Sequence, residues 1–234
     1  MDAAIEFARG PLFRLTFGIM VLGLIRLVVL DVINAVEAYT RAGDKSLAWS
    51  AAIKKTVSWL FPLKRAFTQR PIYSVVSIVF HIGLIMVPIF LLSHIQLWEA
   101  SLGISWWSLP HFWADLLTLT TIAAALALFL GRVGVPSAQA LSSRQDYLWP
   151  ILLIIPFATG YICSNMVVGP AMYQVTMLVH VLSAELIFVL IPFTKIAHCV
   201  LMPLSQFIVS LAWKFPARVD EKICTTLKKK GAPV

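Results

Sequence analysis

Long runs of Leu, Ile, Val, Phe and Ala fill most of this chain, separated by short polar intervals. They show neither the two-residue alternation of a half-buried strand nor the narrow stripe of a soluble surface helix. Five such windows stand out, at 11–36, 72–98, 112–130, 147–168 and 172–213. Each is close to or above the ~20 apolar residues that an α-helix needs to cross a bilayer. The pattern predicts an all-α membrane protein with five transmembrane helices in one integral-membrane domain, 1–234. The fifth window is longer than a crossing requires, and Pro203 and Pro216 predict that it ends in an interfacial turn.

The polar intervals set an orientation. The loop 37–71 carries Arg41, Lys45, Lys54, Lys55, Lys64, Arg65 and Arg70. The third loop has Arg132 and Arg144, and the tail 214–234 has Lys214, Arg218, Lys222, Lys228, Lys229 and Lys230. The second and fourth loops have neither Lys nor Arg. Basic loops stay in the cytoplasm, so the N-terminus is expected outside and the C-terminus in the cytoplasm. Arg9 and Arg14 weigh the other way and are outnumbered. Within the first basic loop, "KSLAWSAAIKKTVSWLF" repeats Trp49, Ile53, Val57 and Leu60 at helical spacing, beside Lys54 and Lys55. This predicts an amphipathic helix, either lying on the membrane surface or docking a cytoplasmic partner.

Composition sharpens the class. The chain is 59% hydrophobic and 13% charged, with a mean hydropathy of +0.85, far from a soluble domain's balance. Its net charge of +8 resides in the loops, so it is no nucleic-acid signal. Cys163, Cys199 and Cys224 form no CxxC or CxxCH pattern. That excludes a sequence-typical zinc ribbon, a cysteine-held iron–sulfur cluster within the chain and covalently attached c-type haem. They read as small buried apolar residues. The start, "MDAAIEFARG", has no basic stretch before an apolar core, and no cleaved signal peptide is expected.

The chemistry lies in the histidines. "HVLSAELIFVLIPFTKIAH" runs from His180 to His198, two imidazoles eighteen residues apart on an apolar helix. Eighteen steps of ~100° return to the starting face, and ~1.5 Å per residue sets the rings roughly 27 Å apart. That is nearly the ~30 Å depth of a bilayer's hydrocarbon. His81, in "VFHIG", and His94, in "LLSHIQLW", occupy the second window. Because the second and fifth helices run antiparallel, His81 falls in the cytoplasmic leaflet with His198, and His94 in the outer leaflet with His180. Intramembrane ionisable groups face cavities or cofactors, and neutral imidazole is a common axial ligand of haem iron. Each pair is expected to clamp one haem b, the two forming an electron path across the bilayer. One difficulty stands: thirteen residues from His81 to His94 turn an ideal helix by ~220°, off the shared face. A proline kink or π-turn at Pro88 would rotate the second half. Otherwise His111 in the outer loop replaces His94, or there is a single haem.

The fifth-window motif has Pro192, Phe193, Thr194 and Lys195 ahead of His198, and it resembles that of the haem-b membrane subunit of respiratory nitrate reductase. "VFHIG" resembles that family's second-span histidine motif, and "SSRQDYLWPILLIIPFATG" stands where its fourth span begins. The resemblance covers about 70–215 and is strongest over 178–204. It implies a five-helix, di-haem, quinol-oxidising subunit with His81/His198 and His94/His180 as ligand pairs. That family spaces its second-span histidines more closely than the thirteen residues found here, and its first cytoplasmic loop is shorter. In both respects the chain is more similar to related haem-b subunits that partner heterodisulfide-reductase-like iron–sulfur proteins in sulfate reducers. The expected partners are a cytoplasmic iron–sulfur subunit, quinone and membrane lipid, in a bacterial or archaeal cytoplasmic membrane.

Other polar residues join the candidate site. Arg26, deep in the first window, either meets a haem propionate or snorkels and pairs with an acid such as Asp31. Lys195 either binds a propionate or anchors the cytoplasmic end. Glu185 lies about 140° from His180, and either carries protons from quinol oxidation or bonds a neighbouring helix. In the outer loop "WEASLGISWWSLPHFWAD", His111 and Asp115 are candidates for a quinone site among tryptophans that also suit an interfacial belt. The alternative to a cytochrome is a transporter or assembly anchor whose histidines relay protons or pack. A transporter should show internal repeats, and the two halves of the chain show none.

Overall fold

A computed structural model describes residues 1–42, 49–60, 67–68, 70–212, 219–226 and 228. It is 88% helical, with no strand among the described residues. Lys45, Lys64, Arg65, Trp213, Lys214, Pro216, Arg218, Lys229 and Lys230, used above to read the loops and the end of the fifth window, lie outside the described residues.

The first helix, α1, runs Asp2–Thr40. Near its start, Pro11 has no N–H to give, and the chain answers with a π-helical turn over Ala8–Leu12, in which the Phe13 N–H reaches back five residues to the Ala8 carbonyl. Then come α2 (Trp49–Leu60), α3 (Pro71–Phe90), α4 (Leu92–Leu102), α5 (His111–Gly134), α6 (Arg144–Ser164), α7 (Pro170–Leu190), α8 (His198–Ala212) and α9 (Val219–Thr226). A single turn at Pro136–Gln139 joins α5 to α6. Among the described residues, six stretches are long and apolar enough to cross a membrane: Asp2–Thr40, Pro71–Phe90, His111–Gly134, Arg144–Ser164, Pro170–Phe193 and Lys195–Ala212. The protein is an all-helical, multi-pass membrane protein.

Two predicted windows are interrupted. The second breaks at Leu91, which is extended (φ −73°, ψ 130°), and restarts as α4. The broken ladder leaves the carbonyls of Ile89 and Phe90 without helical donors. The Trp106 indole N–H and the Leu109 backbone N–H supply them, each at 2.9 Å. The fifth window divides into α7 and α8. Pro192 withholds its N–H, so the chain tightens to a 3-10 turn at Ile191–Phe193, extends at Thr194 and makes a second 3-10 turn at Lys195–Ala197. The Thr194 hydroxyl caps the Leu190 carbonyl at 2.8 Å. One long fifth helix is therefore two shorter ones.

The chain forms two compact units, Met1–Met20 with Lys64–Thr194, and Val21–Leu63 with Lys195–Val234. In the first, α3, α5, α6 and α7 pack in sequence, with the start of α1 against α7. Small residues carry the close approaches: Ala114, Thr118, Thr121, Ala124 and Ala125 of α5 are all buried. A Cβ on Gly83 of α3 would lie 1.7 Å from the Thr121 Oγ1, so only glycine fits at that crossing. At the head of α1, Phe13 and Phe17 pack edge-on to Trp98 and on Phe188, with centroids 4.8–6.3 Å apart.

In the second unit, α2 packs on α8, with the Trp49 and Phe207 rings 6.1 Å apart. α2 is the predicted amphipathic helix. It buries Ala52 and Thr56, while Trp49, Ile53 and Val57 stay about half exposed. The Ser205 hydroxyl donates to Asp31 at 3.4 Å, and Arg41 pairs with Glu37 one turn away.

Candidate functional site

The break at Leu91 turns α4 so that His94 meets His180 of α7. Their ring centroids are 6.0 Å apart and their planes differ by 6°. Both rings are half-buried. The His180 Nδ1 lies 2.8 Å from the Pro156 carbonyl of α6. A carbonyl oxygen can only accept, so Nδ1 carries the proton and Nε2 keeps its lone pair. Gly160, one turn past Pro156 on the same face of α6, makes room for the ring. A Cβ there would come within 2.8 Å of the His180 Cε1. The His94 Nδ1 is buried and has no hydrogen-bond partner among the described residues.

His81 and His198 repeat the same local chemistry. The His81 Nδ1 donates to the Ser77 carbonyl at 2.7 Å, and the His198 Nδ1 to the Lys195 carbonyl at 2.8 Å. In both, a backbone carbonyl one turn back accepts from Nδ1 and fixes the tautomer. Both rings are exposed, and Phe80 packs edge-on against His81 with centroids 5.3 Å apart. His81 belongs to the first unit and His198 to the second, and each is described within its own. Lys195 is exposed, and its backbone, not its ammonium, is what His198 uses. Arg26 is also exposed; Asp31, its expected partner, instead accepts from Ser205.

A polar cluster lies where α5 begins and α6 ends. His111 opens α5, with Nδ1 3.2 Å from the Asp115 carboxylate and Nε2 3.1 Å from the Ser164 hydroxyl of α6. Asn165 donates to the other Asp115 oxygen at 3.2 Å. His111 and Asp115, paired by an i,i+4 spacing, are thus joined to Ser164 and Asn165. Ser164 lies four residues, roughly 6 Å of helix rise, beyond the Gly160 that faces His180. In the segment before α5, Trp107 stacks on Phe90 of α3 with centroids 4.5 Å apart.

These residues fit a haem better than a bare ion. Among the described residues, no three His, Cys, Asp or Glu side chains gather as a protein-only metal site would need. His94 and His180 are the residues that would hold the iron of a haem here, and the group would supply one-electron chemistry. Gly160 and the Pro156 carbonyl were not legible beforehand, because only the register of α6 against α7 brings them to His180. The "PFATG" stretch held both residues one turn apart, but nothing in one helix names the ring that will lie across it.

No family model and no solved structure matches the chain. A protein of Nitratidesulfovibrio vulgaris is 30% identical over 162 residues, which are 69% of this chain and 70% of that one. The chain belongs to the same family as this Nitratidesulfovibrio vulgaris protein.

Proposed function

We propose that the protein is a membrane cytochrome b subunit of a respiratory redox complex, passing electrons between the quinone pool and a cytoplasmic iron–sulfur partner. The observation that carries the reading is the near-parallel pair of His94 and His180, spaced to hold one iron between them. The two-and-two histidine pattern of the sequence is the ground for assigning His81 and His198 to a second haem b. When bound, haem b supplies a one-electron couple that the side chains lack. The protein's part is to hold the imidazoles in the ligating tautomer and to bury the outer pair.

His111 and Asp115 are assigned to the quinone headgroup. A quinol must lose protons as it loses electrons, and an imidazole held by a carboxylate can accept one. Their cluster stands about one helical turn from the His180 pocket, with aromatic surface beside it. The relative's origin in a sulfate reducer agrees with a haem-b subunit serving a heterodisulfide-reductase-like iron–sulfur protein. Loop charge puts the N-terminus outside and the C-terminus in the cytoplasm of a bacterial cytoplasmic membrane. On that orientation the chain crosses five times, and α8 lies with the amphipathic α2 at the cytoplasmic surface.

The test is a pyridine haemochrome assay on purified protein, read as haem b per polypeptide. Two haems are expected, falling to one in His94→Ala or His180→Ala and unchanged in His111→Ala. Protein made with ample haem that lacks a Soret band would sink the cytochrome reading.

A further inference from the structure

Glu185 lies within α7, only 4% exposed, and neither carboxylate oxygen has a hydrogen-bond partner among the described residues. A buried carboxylic group without a partner is costly to keep, which singles it out as a functional candidate. The neighbouring helices carry titratable groups of their own. On α1, Asp2 accepts from Gln174, while Glu6, Arg9 and Arg14 are exposed. On α4, Glu99 is exposed, and His94 faces His180. On α6, Cys163 is buried, Tyr161 is half-buried, and Arg144 and Asp146 stand at the far, N-terminal end.

The packing explains why the carboxylate is alone. α1 runs parallel to α7, with Asp2 at Gln174 and Phe13 at Phe188. Between those contacts, Glu185 falls level with residues 10–13. That stretch holds the π-helical turn, where Gly10 has no side chain and Pro11 and Leu12 offer no polar one. Such turns recur at functional sites. Along α7, Glu185 is five residues, ~7.5 Å of rise, from His180.

We propose that Glu185 is the proton-binding group coupled to the redox state of the His94/His180 site, an inference that rests on the haem reading above. Quinol gives up two electrons and two protons as it becomes quinone. With haem bound, each of the two electrons in turn would add one negative charge near His180, and one proton would be taken up by the Glu185 carboxylate for each, balancing the two protons that quinol releases. The proton leaves when the electron passes on to the iron–sulfur partner. Glu185 is a positioning residue for charge; it does not touch the reacting atoms.

The experiment is a spectroscopic redox titration of the haem-loaded protein at several pH values. In the wild type, the midpoint potential of one haem falls as pH rises. In Glu185→Gln that dependence is lost at unchanged haem content, while Glu99→Gln, on the exposed face of α4, keeps it. Haem-loaded Glu185→Gln with the wild-type pH dependence overturns the assignment and leaves the haem reading standing. Protein without haem overturns the haem reading, and this coupling with it. Should Glu185→Gln fail to fold, the reduced-minus-oxidised infrared spectrum of the wild type decides. A carboxylic C=O band that changes with reduction supports the coupling, and its absence overturns it.

Discussion

A histidine that is to hold iron is oriented through its other ring nitrogen, and three of the four proposed ligands have Nδ1 on a backbone carbonyl. His180 depends on a second helix for this, because both its carbonyl partner and its space come from α6. Gly160→Ala therefore tests the site without touching a ligand. The added methyl would sit 2.8 Å from Cε1 and 3.1 Å from Nδ1, pushing the ring off the Pro156 carbonyl. Haem content is expected to fall by about one per polypeptide, as in His180→Ala, with the protein still inserted and folded. Unchanged haem in this variant would mean that the ring has another seat. The eighteen-residue arithmetic from His180 to His198 assumes one continuous helix, and the 3-10 turns at Ile191–Phe193 and Lys195–Ala197 break it. The pairing of His94 with His180 was legible from their places in two antiparallel apolar windows. Their neighbours were not, since Gly160 and Ser164 matter only through contacts that no single helix encodes.

At the scale of the helix, the informative event is the break at Leu91. Apolar windows do not register it, because Leu91 and its neighbours are as hydrophobic as the helix they interrupt. What makes the break tolerable comes from downstream of it, from the Trp106 indole and the Leu109 amide. Trp106 reads from sequence as an interfacial aromatic, and the structure gives it a specific hydrogen bond as well. The ~220° difficulty between His81 and His94 is met by this interruption, three residues beyond Pro88. Helix crossings carry a second consequence. Gly83→Ala would drive a methyl into Thr121 Oγ1 and to 3.0 Å from the Leu117 carbonyl, with little room to relax. A loss of ~1–3 kcal/mol is the usual scale for overpacking, and the crossing of α3 and α5 puts this variant at the upper end. Thermal unfolding in detergent should show the loss, and Gly83→Ala/Thr121→Ala should recover part of it by removing the hydroxyl and one methyl.

For the whole molecule, the open quantity is the number of crossings. Six stretches have the length and hydropathy to span, whereas loop charge favours five, with α8 at the surface beside α2. Parity separates the two: five crossings put the termini on opposite sides, and six put them on the same side. Cys224 of α9 is a native reporter near the C-terminus, and Glu6→Cys, at an exposed position of α1, would report on the other end. With Cys163 and Cys199 replaced by alanine, and Cys224 as well in the Glu6→Cys protein, each single-cysteine protein can be challenged with a membrane-impermeant thiol reagent. Cys224 is expected to react in inverted vesicles and resist in right-side-out ones, and position 6 to do the reverse. Labelling of both positions from one face would make α8 a true crossing and remove the five-helix arrangement. Labelling of Cys224 from outside and of position 6 from inside would keep five crossings but invert the molecule. That inversion would place Lys54, Lys55 and Lys222 on the far side from any cytoplasmic iron–sulfur partner, so the same pair of labels also tests where such a partner can dock.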